Sequence, residues 1–240
     1  MANLIVKNIP NTITCCNLIS GALATLAAFE GDYVLALMFI VIGAIFDFFD
    51  GFSARLLKVA APIGKELDSL ADDITFGLAP SAMVYTYLCS FPVCMQGGCY
   101  EYIPYLAFII AAFSALRLAK FNMDERQGPS FIGLPTPANA LFWGAFIISM
   151  EDVLVSCNAG IYIMVLLVLL SSWVLIAEIP MFALKFKEFS VSANKIRYGF
   201  LLSAICIIAL SLILCQSLAG IWITILWYII LSLVTCSSKK

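Results

Sequence analysis

Eight apolar runs constrain this chain more than any other feature it has. They cover residues 12–29, 33–54, 66–90, 103–121, 133–150, 160–178, 197–214 and 217–236. Crossing a hydrocarbon layer about 30 Å thick takes roughly 17–25 helical residues, and each run is of that order. Inside lipid every backbone N–H and C=O must be paired within the chain, which leaves helices or closed barrels as the spanning forms. Runs this long and this continuously apolar predict helices. The expectation is an all-α integral membrane protein, a bundle of about eight transmembrane helices forming one domain over residues 1–240. Composition agrees: 63% of the residues are hydrophobic and 12% charged, against about half apolar in a typical soluble domain. Lys7 ahead of the first run imitates a signal peptide, but no polar mature domain follows it, so the run is read as a span. No internal repeat or low-complexity tract is visible.

The basic residues test this map independently. With eight spans, both ends of the chain and every second connection share one side. Lys7, Arg55, Lys58, Lys65, Arg117, Lys120, Arg126, Lys185, Lys187, Lys195, Arg197, Lys239 and Lys240 all fall there, which is the full set of 13. The other side carries Glu30, Asp32, Glu101, Glu151 and Asp152. The positive-inside rule makes the basic side cytoplasmic, so the termini are expected in the cytoplasm and the protein in the cell membrane.

Several classes of function drop out. A net charge of −2 offers no basic surface for nucleic acid. The chain has no histidine, so acid–base or metal chemistry falls to carboxylates. Most of the nine cysteines lie in apolar runs, where cysteine acts as a small hydrophobe. Cys94 and Cys99 flank a turn-like stretch, and either a disulfide or two free thiols suits that spacing.

Carboxylates inside spans are costly and usually face a bundle interior or a wet cavity. Asp47 and Asp50 share one helical face, and Gly64, Asp68 and Asp72 recur at four-residue steps on the next helix. A short connection, broken at Pro62 and Gly64, forces these helices antiparallel, so four carboxylates converge at one depth. Their repulsion is relieved by protons or by a divalent cation, and an all-oxygen donor set suits Mg²⁺ or Mn²⁺. The small residues Gly51, Ala54 and Gly64 let a bulky ligand approach the backbone, while Arg55 beside them suits a pyrophosphate oxygen. Spacing alone leaves open a phosphoryl-transfer site, a cation or proton site of a transporter, or solvated interfacial acids. A transporter should show repeated halves and broken helices at midplane, and neither is present in the sequence.

The stretch DFFDGFSARLLKVAAPIGKELDSLAD, residues 47–72, resembles the signature of the CDP-alcohol phosphotransferase family without a gap. Its eight fixed positions are Asp47, Asp50, Gly51, Ala54, Arg55, Gly64, Asp68 and Asp72. The segments IPNTITCCNLISG, LDSLADDITFGLAP, ALRLAKFN and FIGLPTPANA are similar to the branch of that family that uses serine. The resemblance implies a six-helix catalytic core, about 12–178, with two additional spans at about 197–236, a homodimer, and a site opening to the cytoplasm. It implies that CDP-diacylglycerol and L-serine are the substrates and CMP the leaving product. Asp47, Asp50, Asp68 and Asp72 would bind the divalent metal, Mg²⁺ or Mn²⁺, with Asp72 also the general base. Asn11, Thr14, Asp50, Gly51, Ala54, Arg55 and Gly64 would meet the CDP portion. Glycerol phosphate and inositol phosphate are the alternative acceptors within the family, and each would call for more cations.

Arg117 and Lys120 share a face at the inner end of the fourth span and suit the carboxylate of serine; basic residues there also snorkel to lipid headgroups. Asn122, Thr136 and Asn139 read as capping or turn residues. Asp73 is expected off the acidic cluster, and Glu178 is read as a lone acid at an inner helix end. Tyr33, Tyr85 and Trp143 read as interface anchors.

Overall fold

A computed structural model of the chain describes residues 4–59, 62–96, 98–124, 130–157, 159–182 and 194–237. Arg126, Lys185, Lys187, Lys239 and Lys240, used in the charge map, lie outside them. Helices occupy all eight expected places. They are α1 (Leu4–Phe29), α2 (Tyr33–Leu57), a long third rod, α5 (Ile109–Met123), α6 (Thr136–Val155), α7 (Gly160–Ile176), α8 (Lys195–Cys215) and α9 (Ala219–Ser237). The third rod is compound: α3 (Pro62–Asp72), wider π-helical turns over Asp73–Leu78, then α4 (Ala79–Cys89). A 3₁₀ stretch, Gly98–Phe108, leads into α5.

Five helical segments are long and apolar enough to cross a membrane: Asn8–Phe29, Tyr33–Leu57, Gly98–Met123, Thr136–Val155 and Lys195–Cys215. Gly160–Ile176 and Ala219–Thr235 are shorter and apolar. The compound rod is not among them, because it carries Lys65, Glu66, Asp68, Asp72 and Asp73. This is a multi-pass helical membrane protein. Large apolar side chains such as Phe48, Phe52, Leu202, Ile205, Ile213 and Val234 are exposed on the bundle's outside, as a lipid-facing surface requires.

Local chemistry sets the helix ends. The Asp32 side chain accepts from the Leu35 N–H at 2.9 Å and caps α2; Lys58, left-handed at φ 53°, terminates it. Between helices, hydrogen bonds from aromatic side chains act as polar glue. Tyr87 donates to the carbonyls of Met150 and Glu151, Trp143 to Ser171, and Trp222 to Ser149.

Two apolar cores result. The larger joins α1, α2, α4, α6 and α7 through residues such as Ala28, Ile40, Met83, Trp143 and Met164. The smaller gathers Leu134, Leu175, Met181, Phe200 and Tyr228. One short ladder departs from an all-helical chain: β1 (Ser130–Ile132) pairs antiparallel with β2 (Pro180–Phe182), placing Phe131 opposite Met181.

Two sequence readings change, and a third that was left open is decided. Trp143 is fully buried and Tyr33 nearly so; both are core residues rather than interface anchors, because their polar tips find partners inside the bundle. Thr136 and Asn139 are fully buried and make no capping bond. Cys94 and Cys99 are both free thiols, the first buried and the second exposed.

Candidate active site

Helices α1, α2 and α3 meet where α2 ends and α3 begins, and the acidic residues lie on their facing sides. Asp47, Asp50 and Asp68 each present a carboxylate oxygen within 4.8 Å of the others. The Asp47 carboxyl is also in hydrogen-bonding reach of Asp72. The Oδ1 of Asp68 is buried with no hydrogen-bond partner. An unpaired buried carboxylate oxygen among other carboxylates is what a cation site looks like before its ion is counted. The donors are all oxygen, the set a hard divalent ion takes. These residues fit Mg²⁺ or Mn²⁺.

Neutral donors from α1 hold two of the acids in place. Thr14 donates to Asp50 Oδ2 at 2.6 Å. Asn17 donates through Nδ2 to Asp72 Oδ1 at 3.2 Å and accepts at Oδ1 from Thr75, at 2.8 Å. Thr75 lies in the π-helical turns that begin one residue after Asp72, and such turns often mark functional sites. It also donates to the Asn17 carbonyl. Thr75 approaches so closely that a Cβ on Gly21 would lie 2.7 Å from its Cα.

In front of the acids is a cleft of about 270 Å³, lined by Pro10, Asn11, Thr14, Asp50, Gly51, Ala54, Val59, Gly64, Lys65 and Asp68. Nothing stands within 4 Å of where a Gly51 Cβ would be, and Asn11 Oδ1 is 3.1 Å from that of Gly64. The structure thus brings together the aspartates, Asn11, Thr14, Gly51, Ala54 and Gly64. Arg55 is not in the lining; its Nε turns back to the Gly51 carbonyl at 2.9 Å and the side chain is exposed. Lys65 lines the cleft in its place and donates to the Asn122 carbonyl at 2.9 Å.

Arg117 and Lys120 sit apart from this cleft. They border a smaller hollow, about 50 Å³, with Phe121, Asp124, Ile132, Leu175, Ile176 and Glu178. Arg117 is 8% exposed, and Lys120 is open to solvent. Among the described residues, buried polar side-chain atoms without partners include Arg117 Nε, Asp73 Oδ1, Ser114 Oγ, Thr136 Oγ1 and both side-chain ends of Asn139. A Cβ on Gly77 would fall 2.7 Å from Asp73 Oδ1 and 3.0 Å from Ser114 Cβ, so Asp73 turns toward α5, away from the acidic cluster. Asn122 bridges α5 to α3 by donating to Ser69 at 2.7 Å.

Sequence reading missed Asn17, Thr75 and Lys65. A signal for the first existed: Asn17 is three residues from Thr14, on the same face of an otherwise apolar helix. Thr75 carried none, since the π-helical turns shift the face it presents.

Fold and site together define a multi-pass helical membrane protein with an oxygen-donor cation site beside a cleft walled by small residues. The chain belongs to the CDP-alcohol phosphatidyltransferase family, whose sequence model matches residues 7–177. It is 38% identical over 133 residues to the CDP-diacylglycerol–serine O-phosphatidyltransferase of Bacillus subtilis, covering 54% of this chain and 69% of that protein. With the enzyme of the same name from Mycobacterium leprae it shares 30% identity over 233 residues, 92% of this chain and 72% of the relative. The archaetidylserine synthase of Methanothermobacter thermautotrophicus is 31% identical over 142 residues, 58% of this chain and 57% of that protein.

Proposed function

We propose that this chain transfers the phosphatidyl group of CDP-diacylglycerol to the hydroxyl of L-serine, giving phosphatidylserine and CMP. The observation that carries this is the convergence of Asp47, Asp50 and Asp68 at the edge of an open cleft walled by small residues and bare of side chains at Gly51. The relatives named above supply the choice of acceptor.

Asp47, Asp50 and Asp68 hold the divalent ion, with Asp72 completing its surroundings. A bound Mg²⁺ or Mn²⁺ supplies positive charge to the pyrophosphate oxygens and to the departing CMP. Gly51, Ala54 and Gly64 let the CDP portion lie against backbone, and Asn11 and Thr14 border it from α1. With Nε on the Gly51 carbonyl, Arg55 offers its terminal guanidinium N–H groups to a phosphate. Asp72, steadied by Asn17, takes the proton from the serine hydroxyl. That oxygen bonds to the β-phosphorus, the bond from this phosphorus to the bridging oxygen breaks, and CMP leaves with the electron pair. Arg117 meets the serine carboxylate, with Lys120 at the outer edge of the same hollow.

The whole chain acts as one membrane domain and as a homodimer in the cell membrane. Its termini and the cleft face the cytoplasm, the side to which the basic residues assign them. To test the reaction, purified protein is given CDP-diacylglycerol and Mn²⁺ or Mg²⁺ with serine, glycerol phosphate or inositol phosphate, and CMP is measured. Release with serine alone, abolished by EDTA and restored by the ion, is the expected result. Release only with a phosphorylated acceptor reassigns the substrate, and none with any acceptor overturns the reading.

A further inference from the structure

The cleft in front of the aspartates is lined by two carboxylates, Asp50 and Asp68, and by one basic residue, Lys65. A diphosphate entering it brings its own negative charge toward those acids, and Lys65 is the ammonium on the wall that meets it. Lys65, Asp68 and Asp72 recur at three- and four-residue steps along α3 and so share one face of that helix. The Lys65 side chain therefore starts one turn from the Asp68 carboxylate, on the same wall.

The ammonium is held from α5. That helix ends at Met123, so the Asn122 carbonyl is among its last four and has no acceptor role inside the helix. Lys65 Nζ donates to this carbonyl at 2.9 Å, and a cation suits a helix C-terminus. The same asparagine reaches back to α3. Its Nδ2 donates to Ser69 Oγ at 2.7 Å, and Ser69 Oγ donates to the Lys65 carbonyl at 3.2 Å. Lys65 and Ser69 are one turn apart, so Asn122 grips α3 at two points and closes a ring of three hydrogen bonds. One N–H satisfies the helix end, whereas an ammonium has three. Lys65 makes no other hydrogen bond among the described residues and is exposed, while Asp68 Oδ1 has no partner. The ammonium is thus bonded to α5 rather than to the acid beside it, with two N–H groups still to give.

We propose that Lys65 binds a phosphate oxygen of the nucleoside diphosphate, and that Asn122 and Ser69 position its ammonium by tying α3 to the end of α5. This rests on reading the cleft as the CDP site.

Calorimetry with CDP and Mn²⁺ reads binding without turnover. Lys65→Met keeps an unbranched stem and removes the ammonium; it should weaken CDP about ten- to hundredfold, the loss of hydrogen bonds to a charged group. Mn²⁺ bound without nucleotide, followed by electron paramagnetic resonance, should be held no more weakly than in the wild type, because a neighbouring positive charge has gone. Lys65→Arg keeps the charge and should lose less CDP affinity than Lys65→Met. Unchanged CDP affinity in folded Lys65→Met overturns the proposal, as does a matching loss of Mn²⁺. Equal losses in Lys65→Met and Lys65→Arg would assign the effect to the α3–α5 contact and overturn it too. Asn122→Ala should weaken CDP about two- to fivefold when Lys65 is present and add nothing in Lys65→Met, as coupled neighbours do; additive losses overturn the positioning role. In turnover the KM for CDP-diacylglycerol should rise in Lys65→Met while the KM for serine stays within about twofold. A wild type that binds CDP but releases no CMP with serine would sink the transferase reading and leave the binding comparison to decide the role of Lys65. A wild type that binds no CDP would overturn both.

Discussion

Asn17 shows how the acidic cluster is kept in order. Its amide donates to Asp72 with one end and accepts from Thr75 with the other, so its orientation is fixed from both sides. Asn17→Leu removes both bonds and leaves Thr75 Oγ1 with the Asn17 backbone carbonyl alone. It should destabilise the fold by about 1–3 kcal/mol, the range for a buried polar group left unmatched, and lower kcat as Asp72 loses its anchor. Thermal melts and CMP release measure the two effects. Asp72→Asn separates binding from chemistry, because the amide keeps the shape and loses the base. CDP affinity should stay within about twofold while kcat falls by at least about 10², the scale of general base catalysis. Near-wild-type turnover in folded Asp72→Asn would remove Asp72 as the base.

Between helices, the aspartate face of α2 and α3 was legible because spacings of three and four residues survive any regular α-helix. What the spacing could not carry is the π-helical segment after Asp72, which turns Thr75 toward Asn17 and Asp73 toward Ser114. It also could not show that Arg55 folds back on its own helix while Lys65 takes the cleft, since both are long and only rotamer choice separates them. Trp143 and Tyr33 were misplaced for a related reason: aromatic residues near span ends suit an interface or a core, and their hydrogen-bond partners decide which. Two glycines make opposite predictions from these packings. A methyl at Gly21 would press on the Thr75 backbone, at 2.7 Å from Cα and 2.8 Å from N. Gly21→Ala should cost about 1–3 kcal/mol, as overpacking does. Gly51→Ala meets nothing within 4 Å and gains helix propensity of up to about 1 kcal/mol. It should melt no lower than wild type, yet raise the KM for CDP-diacylglycerol by narrowing the cleft. A lowered melting temperature with unchanged KM would place the nucleotide elsewhere.

For the whole molecule, the strongest sequence signal was the one-sided placement of basic residues, and it yields a test that needs no activity. The connections carrying Cys99 and Cys157 lie on the side without lysine or arginine, and both thiols are exposed. Lys195, exposed at the start of α8, lies on the basic side. In a chain whose other cysteines are replaced by serine or alanine, a membrane-impermeant maleimide added to intact cells should label Cys99 or Cys157. Lys195→Cys in the same background should label only after permeabilisation. The aspartate cleft is built from the end of α2 and the start of α3, whose connection carries Arg55, Lys58 and Lys65, so it must share the side of Lys195. Labelling in the reverse order would put the cleft on the outer face, away from the cytoplasmic pools of nucleotide and serine, and the cytoplasmic reading would end there.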